Sequence, residues 1–243
     1  MSTIPPDSPA GPDHGSPTSP EAPRSERERI VDAFVELLAG QPFEEIGLAQ
    51  IATRAGLSLG IVRKNFGSKL GMLATFVREV DRKVLDGVDP DMANEPARER
   101  LFDVLMRRIE ILSPNKEAVR SLLRSARRDP PLALALNSMA VQSQQWMLTA
   151  ADINASGTRG MLRAQGLAML YARVLQTFVH DDDPGHARTM AALDNALGRG
   201  ARWAGVLDGL CRIPLFKPWR CLPGFGRRRS RPRGNDFGDP VAA

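Results

Sequence analysis

Apolar residues along most of this chain recur at intervals of three and four, the spacing that places side chains on one face of an α-helix. The spacing is clearest at Leu48, Ile51, Ala52 and Ala55. Runs that alternate apolar and polar residues, as a half-buried strand would, do not stand out. The pattern therefore predicts an all-α protein.

The same spacing predicts the order of the helices. A first helix opens at Ser25, where Ser25 and Glu28 have the positions of a capping box, and ends at Gly40. A longer helix covers residues 68–85 and is followed by a polar break at residues 87–96. Three helices are expected after the break, and two long apolar stripes, in residues 158–180 and 185–207, predict the closing pair.

Residues 48–69 have the pattern of two short helices joined by a tight turn and running into a third. Gly56 supplies the left-handed residue that ends the first of them, and Ser58 can cap the second. The small Ala52 lets the two helices cross closely. Leu59, Gly60, Arg63 and Lys64 then fall on the outer side of the second helix, so we expect a helix-turn-helix that presents them to a ligand.

Charge supports this interpretation. Residues 47–77 contain no Asp or Glu but include Arg54, Arg63, Lys64 and Lys69, whereas acidic and basic residues are interspersed elsewhere. A local surplus of positive charge attracts a polyanion such as DNA. The alternative is an ordinary three-helix packing unit whose lack of acids is accidental.

Residues 46–76, IGLAQIATRAGLSLGIVRKNFGSKLGMLATF, resemble the N-terminal domain of the tetracycline-repressor (TetR) family of bacterial transcriptional regulators, and the resemblance is most specific over residues 25–80. It implies an all-helical homodimer. Three N-terminal helices would bind a double-stranded DNA operator, and a larger C-terminal domain would dimerise and bind a small-molecule effector, expected to be apolar. The DNA contacts implied by position, with the capping serine, are Ser58, Leu59, Gly60, Arg63, Lys64, Asn65 and, as a phosphate-binding lysine, Lys69.

The chain departs from the family pattern at two of these positions. Arg63 stands where an aromatic residue, commonly tyrosine, is usual in the recognition helix, and Asn65 precedes Phe66 where His or Tyr is common. Arg63 could pair with guanine through two hydrogen bonds or contact a phosphate, and the sequence leaves both open.

Four segments follow from these patterns. We predict a disordered, proline-rich arm at residues 1–23 and a DNA-binding domain at residues 24–86. A ligand-binding and dimerisation domain is expected at residues 87–210, and a basic, flexible tail at residues 211–243. Residues 1–23 lack the apolar core of a signal peptide and no stretch is long and apolar enough to span a bilayer, so we expect a cytoplasmic protein. Cys211 and Cys221, both in the tail, are expected to be free thiols.

The C-terminal domain offers candidates with more than one interpretation. Met139, Trp146 and Met147 could line a ligand pocket, although Met and Trp at helical spacing are more typical of a core. The paired stripes of the last two helices predict a dimer interface. A metal site could be suggested by His180, Asp181, Asp182, Asp183 and His186. They lie in a turn with Pro184 and Gly185, which favours a solvated loop, and we predict no metal there. The predicted interface residues are Leu167, Leu170, Tyr171, Val174, Phe178, Leu193 and Leu197.

The tail holds eight basic and two acidic residues, an excess larger than the net charge of +5 of the whole chain. Its interleaved aromatic residues would suit nonspecific DNA or an anionic membrane surface, and a role in solubility alone is a further alternative.

No catalytic set or cofactor motif appears, so we predict a non-enzymatic regulator, a repressor by family habit, without a cofactor. One alternative is a TetR-fold lipid or isoprenoid carrier of the ubiquinone-biosynthesis type, which residues 181–197 (DDDPGHARTMAALDNAL) faintly resemble. Another is a membrane-tethered regulator that uses both ends of the chain.

Overall fold

The computed structural model describes residues 25–210, with side-chain surroundings given as far as residue 200. Within this range the chain is helical, so the predicted all-α class is confirmed. Short 3-10 turns occur at Phe43–Glu45, Pro90–Asn94 and Ser113–Asn115. The α-helices are α1 (Glu26–Gly40), α2 (Leu48–Ala55), α3 (Leu59–Asn65), α4 (Lys69–Asp86), α5 (Ala97–Leu112), α6 (Lys116–Ala126), α7 (Pro130–Ala150), α8 (Gly157–Phe178) and α9 (Ala187–Leu210).

Side-chain caps fix the starts of α1, α3 and α4, and the caps at Ser25 and Ser58 are those that the sequence predicts. The Ser25 side chain accepts a hydrogen bond from the Glu28 amide, and Glu28 closes the capping box by accepting from the Ser25 amide. Ser58 and Ser68 cap α3 and α4 in the same way, through the amides of Ile61 and Gly71. Each cap satisfies an amide that the first turn of a helix leaves without a partner.

Two apolar cores lie within residues 25–202, which belong to one compact unit. We call the cluster built mainly by α1 to α4 the N-terminal core, and the cluster built by α4, α5, α7, α8 and α9 the C-terminal core. Helix α4 contributes to both, since Met72 lies in the first and Val80 in the second. The two cores are thus joined by one continuous helix.

The N-terminal core also extends beyond the first four helices. Ala118 of α6 and Leu132 of α7 are buried within it. Polar contacts reinforce this junction: the Ser121 hydroxyl donates to the Gln41 carbonyl at 2.9 Å, and the Phe43 amide donates to the Ser125 hydroxyl at 3.1 Å. The predicted domain boundary near residue 86 stays a prediction, because a single compact unit runs through it.

One detail of the helix faces was wrong. Leu48, assigned to the apolar face of its helix, is exposed, because it sits at the rim of the stripe in the first turn of the short helix α2. The predictions for the arm (residues 1–23) and the tail (residues 211–243, with Cys211 and Cys221) lie outside the described residues.

Candidate nucleic-acid interface and effector domain

Helix α3 is docked by one side and open on the other. Val62 is 1% exposed and faces the N-terminal core, whereas Leu59 is 51% exposed. Gly60, Arg63 and Lys64 lie on the same open side as Leu59. The structure therefore gathers Ser58, at the cap, and these four residues on one short surface, as the sequence predicts.

The turn before α3 is held in place by an arginine of α1. Gly56 has φ +64°, a left-handed conformation that glycine adopts without strain. The Arg29 guanidinium donates to the Ala55 carbonyl at 2.7 Å, and a Cβ at Gly56 would lie 3.2 Å from the same guanidinium. The angle between α2 and α3 is fixed by this contact together with the buried Ala52.

Arg27 of α1 fixes the other end of α3. Its guanidinium lies 4.4 Å from the centre of the Phe66 ring and donates to the Asn65 carbonyl at 3.1 Å and to the Thr75 hydroxyl at 3.0 Å. Cation–π contact and hydrogen bonds together bring α1, α3 and α4 to one point. Helix α3 is thus supported at both ends by contacts within the protein.

Two residues predicted to contact DNA are used inside the protein. The Asn65 amide donates to the Ile61 carbonyl at 3.0 Å and to the Glu26 carboxylate at 3.4 Å. The Lys69 ammonium donates to the Phe43 carbonyl at 2.7 Å and lies 4.6 Å from the centre of the Phe43 ring. Burial lowers the pKa of Lys69, and the nearby Glu44 opposes that shift.

Among the cations of the acid-poor segment, Arg63 and Lys64 differ from Arg54. The Arg54 guanidinium pairs with Glu36 at 2.6 Å. Arg63 and Lys64 are exposed and form no ion pair with any residue of the described part of the chain. Their charges therefore remain available to an anion on the open side of α3.

The three predicted pocket residues do not line one cavity. Met147 is completely buried in the C-terminal core, and Met139 packs half-buried against the N-terminal core. Trp146 is 55% exposed and lines an open groove of about 660 Å³ with Gln142, Gln145, Thr149 and residues 152–156. Met139 and Trp146 are seven residues apart, the spacing of one helix face. Met139 nevertheless packs against the N-terminal core, whereas Trp146 is exposed on the groove.

A buried polar cluster, which the sequence analysis did not identify, lies inside the C-terminal core. Arg108 of α5 donates to Asp81 of α4 and, at 2.6 Å, to the Ser143 hydroxyl of α7, which itself donates to Asp81 at 2.8 Å. The Arg108 guanidinium also lies 5.8 Å from the centre of the Tyr171 ring of α8. The sequence did contain a sign of this cluster, because two charged residues occupy positions that the helical spacing assigns to the buried face. Arg108 lies three residues after Leu105, and Asp81 lies three residues before Val84.

The predicted dimer residues are also not on the surface. Six of the seven are buried in the C-terminal core, and Leu170 is half-buried against it. The stripe faces inward because α8 and α9 complete that core within the same chain. Its residues, which therefore cannot form an interface while the subunit stays folded, are Leu167, Tyr171, Val174, Phe178, Leu193 and Leu197.

The outer face of α8 carries a second apolar stripe. Leu162 and Met169 are 61% and 55% exposed, and Arg173 continues their row one turn further on. Gly166 lies between them, and a Cβ built there meets no atom within 4 Å. Met161 on α8 and Met190 on α9 are exposed as well.

The loop between α8 and α9 is held by internal contacts. Asp181 is buried, and its carboxylate accepts from the Thr189 amide at 2.8 Å and from the Thr189 hydroxyl at 2.7 Å. Burial acts to raise the pKa of Asp181, but these hydrogen bonds outweigh it and the pKa lies below its usual value. His186 contacts the Ser113 hydroxyl at 2.8 Å and the edge of the Phe178 ring. Within residues 25–210 no three metal-ligand side chains come together.

Comparisons with known proteins extend these observations. No family model matches the chain. The HTH-type transcriptional regulator BetI of Cronobacter sakazakii is 34% identical over 62 residues, which are 26% of this chain. The chain spans about a third (31%) of the length of that curated relative.

Solved structures match over a longer range. A TetR transcriptional regulator from Nitrosomonas europaea superposes with a TM-score of 0.58 at 21% identity, over 72% of this chain and 98% of that one. A TetR transcriptional regulator from Rhodococcus sp. RHA1 gives 0.53 at 19% identity, over 72% and 95%. The fatty acid degradation regulator FadR from Bacillus halodurans gives 0.52 at 16%, over 74% and 96%. The chain has the fold of the TetR regulators, and the resemblance seen in the sequence is confirmed at that level.

Proposed function

We propose that this chain, which has the TetR fold, is a DNA-binding transcriptional regulator that binds its operator as a homodimer under the control of a small molecule. The observation that carries the proposal is the open side of α3, where Arg63 and Lys64 extend from a capped, rigidly supported helix without an acidic partner among the described residues. The names of the similar proteins support a regulator rather than an enzyme.

The geometry of α3 suits the major groove. A groove about 12 Å wide admits one helix, and residues near the start of that helix reach the base edges. Leu59 and Gly60 lie in the first turn of α3, so they can approach bases closely, and Arg63 follows one turn later. We infer that Arg63 reads a base and that Lys64 contacts the backbone. Lys69, already bonded to the Phe43 carbonyl, would act on DNA chiefly by holding α4 in position.

We place the dimer contact on the outer stripe of α8, formed by Leu162, Gly166, Met169 and Arg173. Exposed apolar side chains in one row are typical of a surface that a partner covers. Gly166 would let a partner helix approach closely, because the space above it is open. Helices α8 and α9 thus stay the proposed dimer pair, with the opposite face of α8 in contact.

The cellular location of the protein is also a proposal. Across the described residues, none of the helices has the length and apolarity that a membrane crossing requires. A regulator that binds DNA in a bacterium would work in the cytoplasm, and we propose that site of action.

The test is selection of bound duplexes from a random DNA pool with the wild type, Arg63→Ala and a control, Arg82→Ala. Arg82 is exposed on α4 and pairs with Glu79 and Asp86, so its loss should change nothing. The wild type should recover a sequence with two symmetric half-sites. Arg63→Ala should lose preference at one base pair in each half-site, because a bidentate contact with guanine contributes about 1–3 kcal/mol of discrimination.

Two results would contradict the proposal at different levels. An unchanged base profile with uniformly weaker binding would make Arg63 a phosphate contact. If no duplex is enriched, DNA binding itself fails, and the lipid-carrier alternative can then be tested by co-sedimentation with neutral and anionic vesicles.

A further inference from the structure

Two arginines from different helices are bonded to one hydroxyl beside the C-terminal end of α3. Arg27 of α1 donates to the Thr75 hydroxyl of α4 at 3.0 Å, and Arg78 of α4 donates to the same oxygen at 2.9 Å. The Thr75 hydroxyl itself donates to the Gly71 carbonyl at 3.0 Å. Because a hydroxyl has one hydrogen and two acceptor positions, Thr75 is fully used and brings the two positive groups close together.

The charges of these two arginines are not compensated within residues 25–200, where neither of them forms an ion pair. The acids next to them in the sequence have other partners. Glu79 pairs with the Arg82 guanidinium at 2.6 Å, and Glu28 closes the capping box of α1. Glu26 accepts from the Asn65 amide. Two like charges held close together repel each other, and a bound anion would remove that repulsion.

Most hydrogen-bond donors of the two guanidiniums remain available. A guanidinium has five N–H groups, and the exposed Arg78 uses one of them, on Thr75. Arg27 lies over the Phe66 ring and donates to the Asn65 and Thr75 oxygens, so its position is fixed while its other N–H groups stay available. A phosphate has several oxygens that can accept from both guanidiniums at once, which suits this arrangement.

The position of the pair relative to α3 favours DNA as the source of that phosphate. Arg27 donates to the carbonyl of Asn65, the last residue of α3, and Arg63 and Lys64 lie in the same last turn. The major groove is bordered on both sides by phosphates, so a helix lying in it has the backbone close to its ends. A free phosphate ion would meet the same donors, but exposed ion pairs in water are weak.

We propose that Arg27 and Arg78, held together by Thr75, bind one phosphate of the operator backbone in each half-site. The inference rests on the proposed function and adds to it a contact made by α1 and α4 rather than by the recognition helix. Such a contact carries no sequence information, but it fixes how α3 lies in the groove. Thr75 is a positioning residue, because it acts through the two arginines.

The first measurement is the salt dependence of DNA binding by the full-length protein, on the duplex that the wild type selects and on an unrelated duplex. Each phosphate contact contributes about 0.9 to the slope of log affinity against log salt, so Arg78→Ala should reduce the slope of a dimer by about 1.8 on both duplexes. Arg82→Ala is the matched control. It removes the same charge one turn further along α4, from a side chain already paired with Glu79 and Asp86, and should keep the wild-type slope.

The second measurement locates the phosphate. Each backbone phosphate of the operator is replaced in turn by an uncharged methylphosphonate. Among the replacements that weaken the wild type, one in each half-site should weaken it about tenfold and have no effect on Arg78→Ala. Thr75→Val, which keeps the shape of the side chain but removes the hydroxyl, should reduce the response at that position, and Thr75→Ser should restore it.

The proposal is overturned if Arg78→Ala and Arg82→Ala have equal salt slopes, or if every replacement that weakens the wild type also weakens Arg78→Ala. It is also overturned if inorganic phosphate shifts the Arg78 guanidinium signal in a nitrogen-15 spectrum while Arg78→Ala binds DNA as the wild type does, because the site then takes a free anion. Each of these outcomes can occur in a protein that still selects its operator through Arg63. Loss of duplex selection by the wild type would instead defeat the proposed function.

Discussion

At the scale of single residues, the buried pair of Asp81 and Arg108 has the largest expected effect on stability. Removing one partner strands the other charge in the C-terminal core, whereas removing both leaves no buried charge there, only the neutral Ser143 hydroxyl that bonded to them. A buried ion pair broken on one side typically costs about 3–5 kcal/mol, although its replacement by apolar residues can be neutral. The two kinds of change should therefore differ sharply.

We expect Arg108→Met to lower the free energy of unfolding by about 3–5 kcal/mol, and Asp81→Leu combined with Arg108→Met to recover most of that loss. Urea denaturation followed by circular dichroism measures both. Arg82→Ala, which removes an exposed arginine from the same region of α4, should stay within about 0.5 kcal/mol of the wild type. Equal losses in the single and double variants would contradict the argument.

Asp181 should make stability depend on pH. Its pKa is lower in the folded protein than in the unfolded chain, so its contribution is present at neutral pH and is lost as the pH falls through the folded pKa, on the acid side of the ordinary aspartate pKa. Asp181→Asn should cost about 1–2 kcal/mol at pH 7, as loss of a helix cap does. The thermal unfolding temperatures of the two proteins should then converge as the pH falls through that acidic range.

Asp182→Asn is the control for this pH effect, since Asp182 is exposed and beside Asp181 in sequence. It should leave both the stability and its pH dependence nearly unchanged. A difference between wild type and Asp181→Asn that persists at low pH would mean that the charge of Asp181 is not what stabilises α9.

At the scale of helices, the outer stripe of α8 carries the prediction about assembly. Met169→Glu should convert a dimer to a monomer at micromolar concentration without loss of helix content, because the charge would be buried between subunits. Leu134→Glu, which puts the same charge on an exposed leucine of α7 outside the stripe, is the control for charge alone and should leave the dimer intact. Sedimentation gives the assembly state, and circular dichroism the fold.

Val174→Asp should behave differently from Met169→Glu. Val174 is 2% exposed inside the subunit, so the charge should unfold the protein rather than separate two folded chains. If Val174→Asp yields a well-folded monomer, or if Met169→Glu stays dimeric, the outer stripe is not the interface.

The helices could be predicted from the sequence where a capping residue or a glycine marks the position at which they begin or end. Ser25, Ser58 and Gly56 act on amides and backbone angles within a few residues, so their roles follow from neighbours in the chain. The stripe around Tyr171 and Val174 could not be assigned in the same way. Amphipathic spacing shows that a face is covered, but the same residues would result whether α7 or another subunit covers it.

The residues of the candidate site also differ in whether the local sequence predicts their surroundings. The exposed positions of Arg63 and Lys64 follow from helical periodicity after a capped start, and the structure agrees. The internal bonds of Asn65 and Lys69 depend on Glu26 and Phe43, which lie 39 and 26 residues away along the chain. Long-range partners of this kind are set by packing and leave no short-range pattern.

At the scale of the whole compact unit, we expect the junction between α6 and the turn at Phe43 to affect both the stability of the protein and its affinity for DNA. Ser125→Ala would leave the buried Phe43 amide without an acceptor, and we expect a loss of about 1–3 kcal/mol in stability. Operator affinity should fall too, because the same turn is held by Lys69 and adjoins α2. Denaturation and DNA titration measure the two effects.

The control for the junction is Ser138→Ala on α7. The Ser138 hydroxyl is exposed and bonds only to the Leu134 carbonyl of its own helix, so its loss should alter neither stability nor DNA affinity by much. If Ser125→Ala lowers stability but leaves operator affinity intact, the junction supports the fold without positioning α3.

The sharing of the N-terminal core with α6 and α7 also bears on protein engineering. A hybrid regulator made by cutting near residue 86 and fusing the first four helices to another effector body would expose the surface that Ala118 and Leu132 now cover. Such a hybrid should fold well only if the new body brings matching small and apolar residues, with hydroxyls equivalent to Ser121 and Ser125. For this chain, the transplantable unit is therefore the first four helices together with the strip of α6 and α7 beneath them.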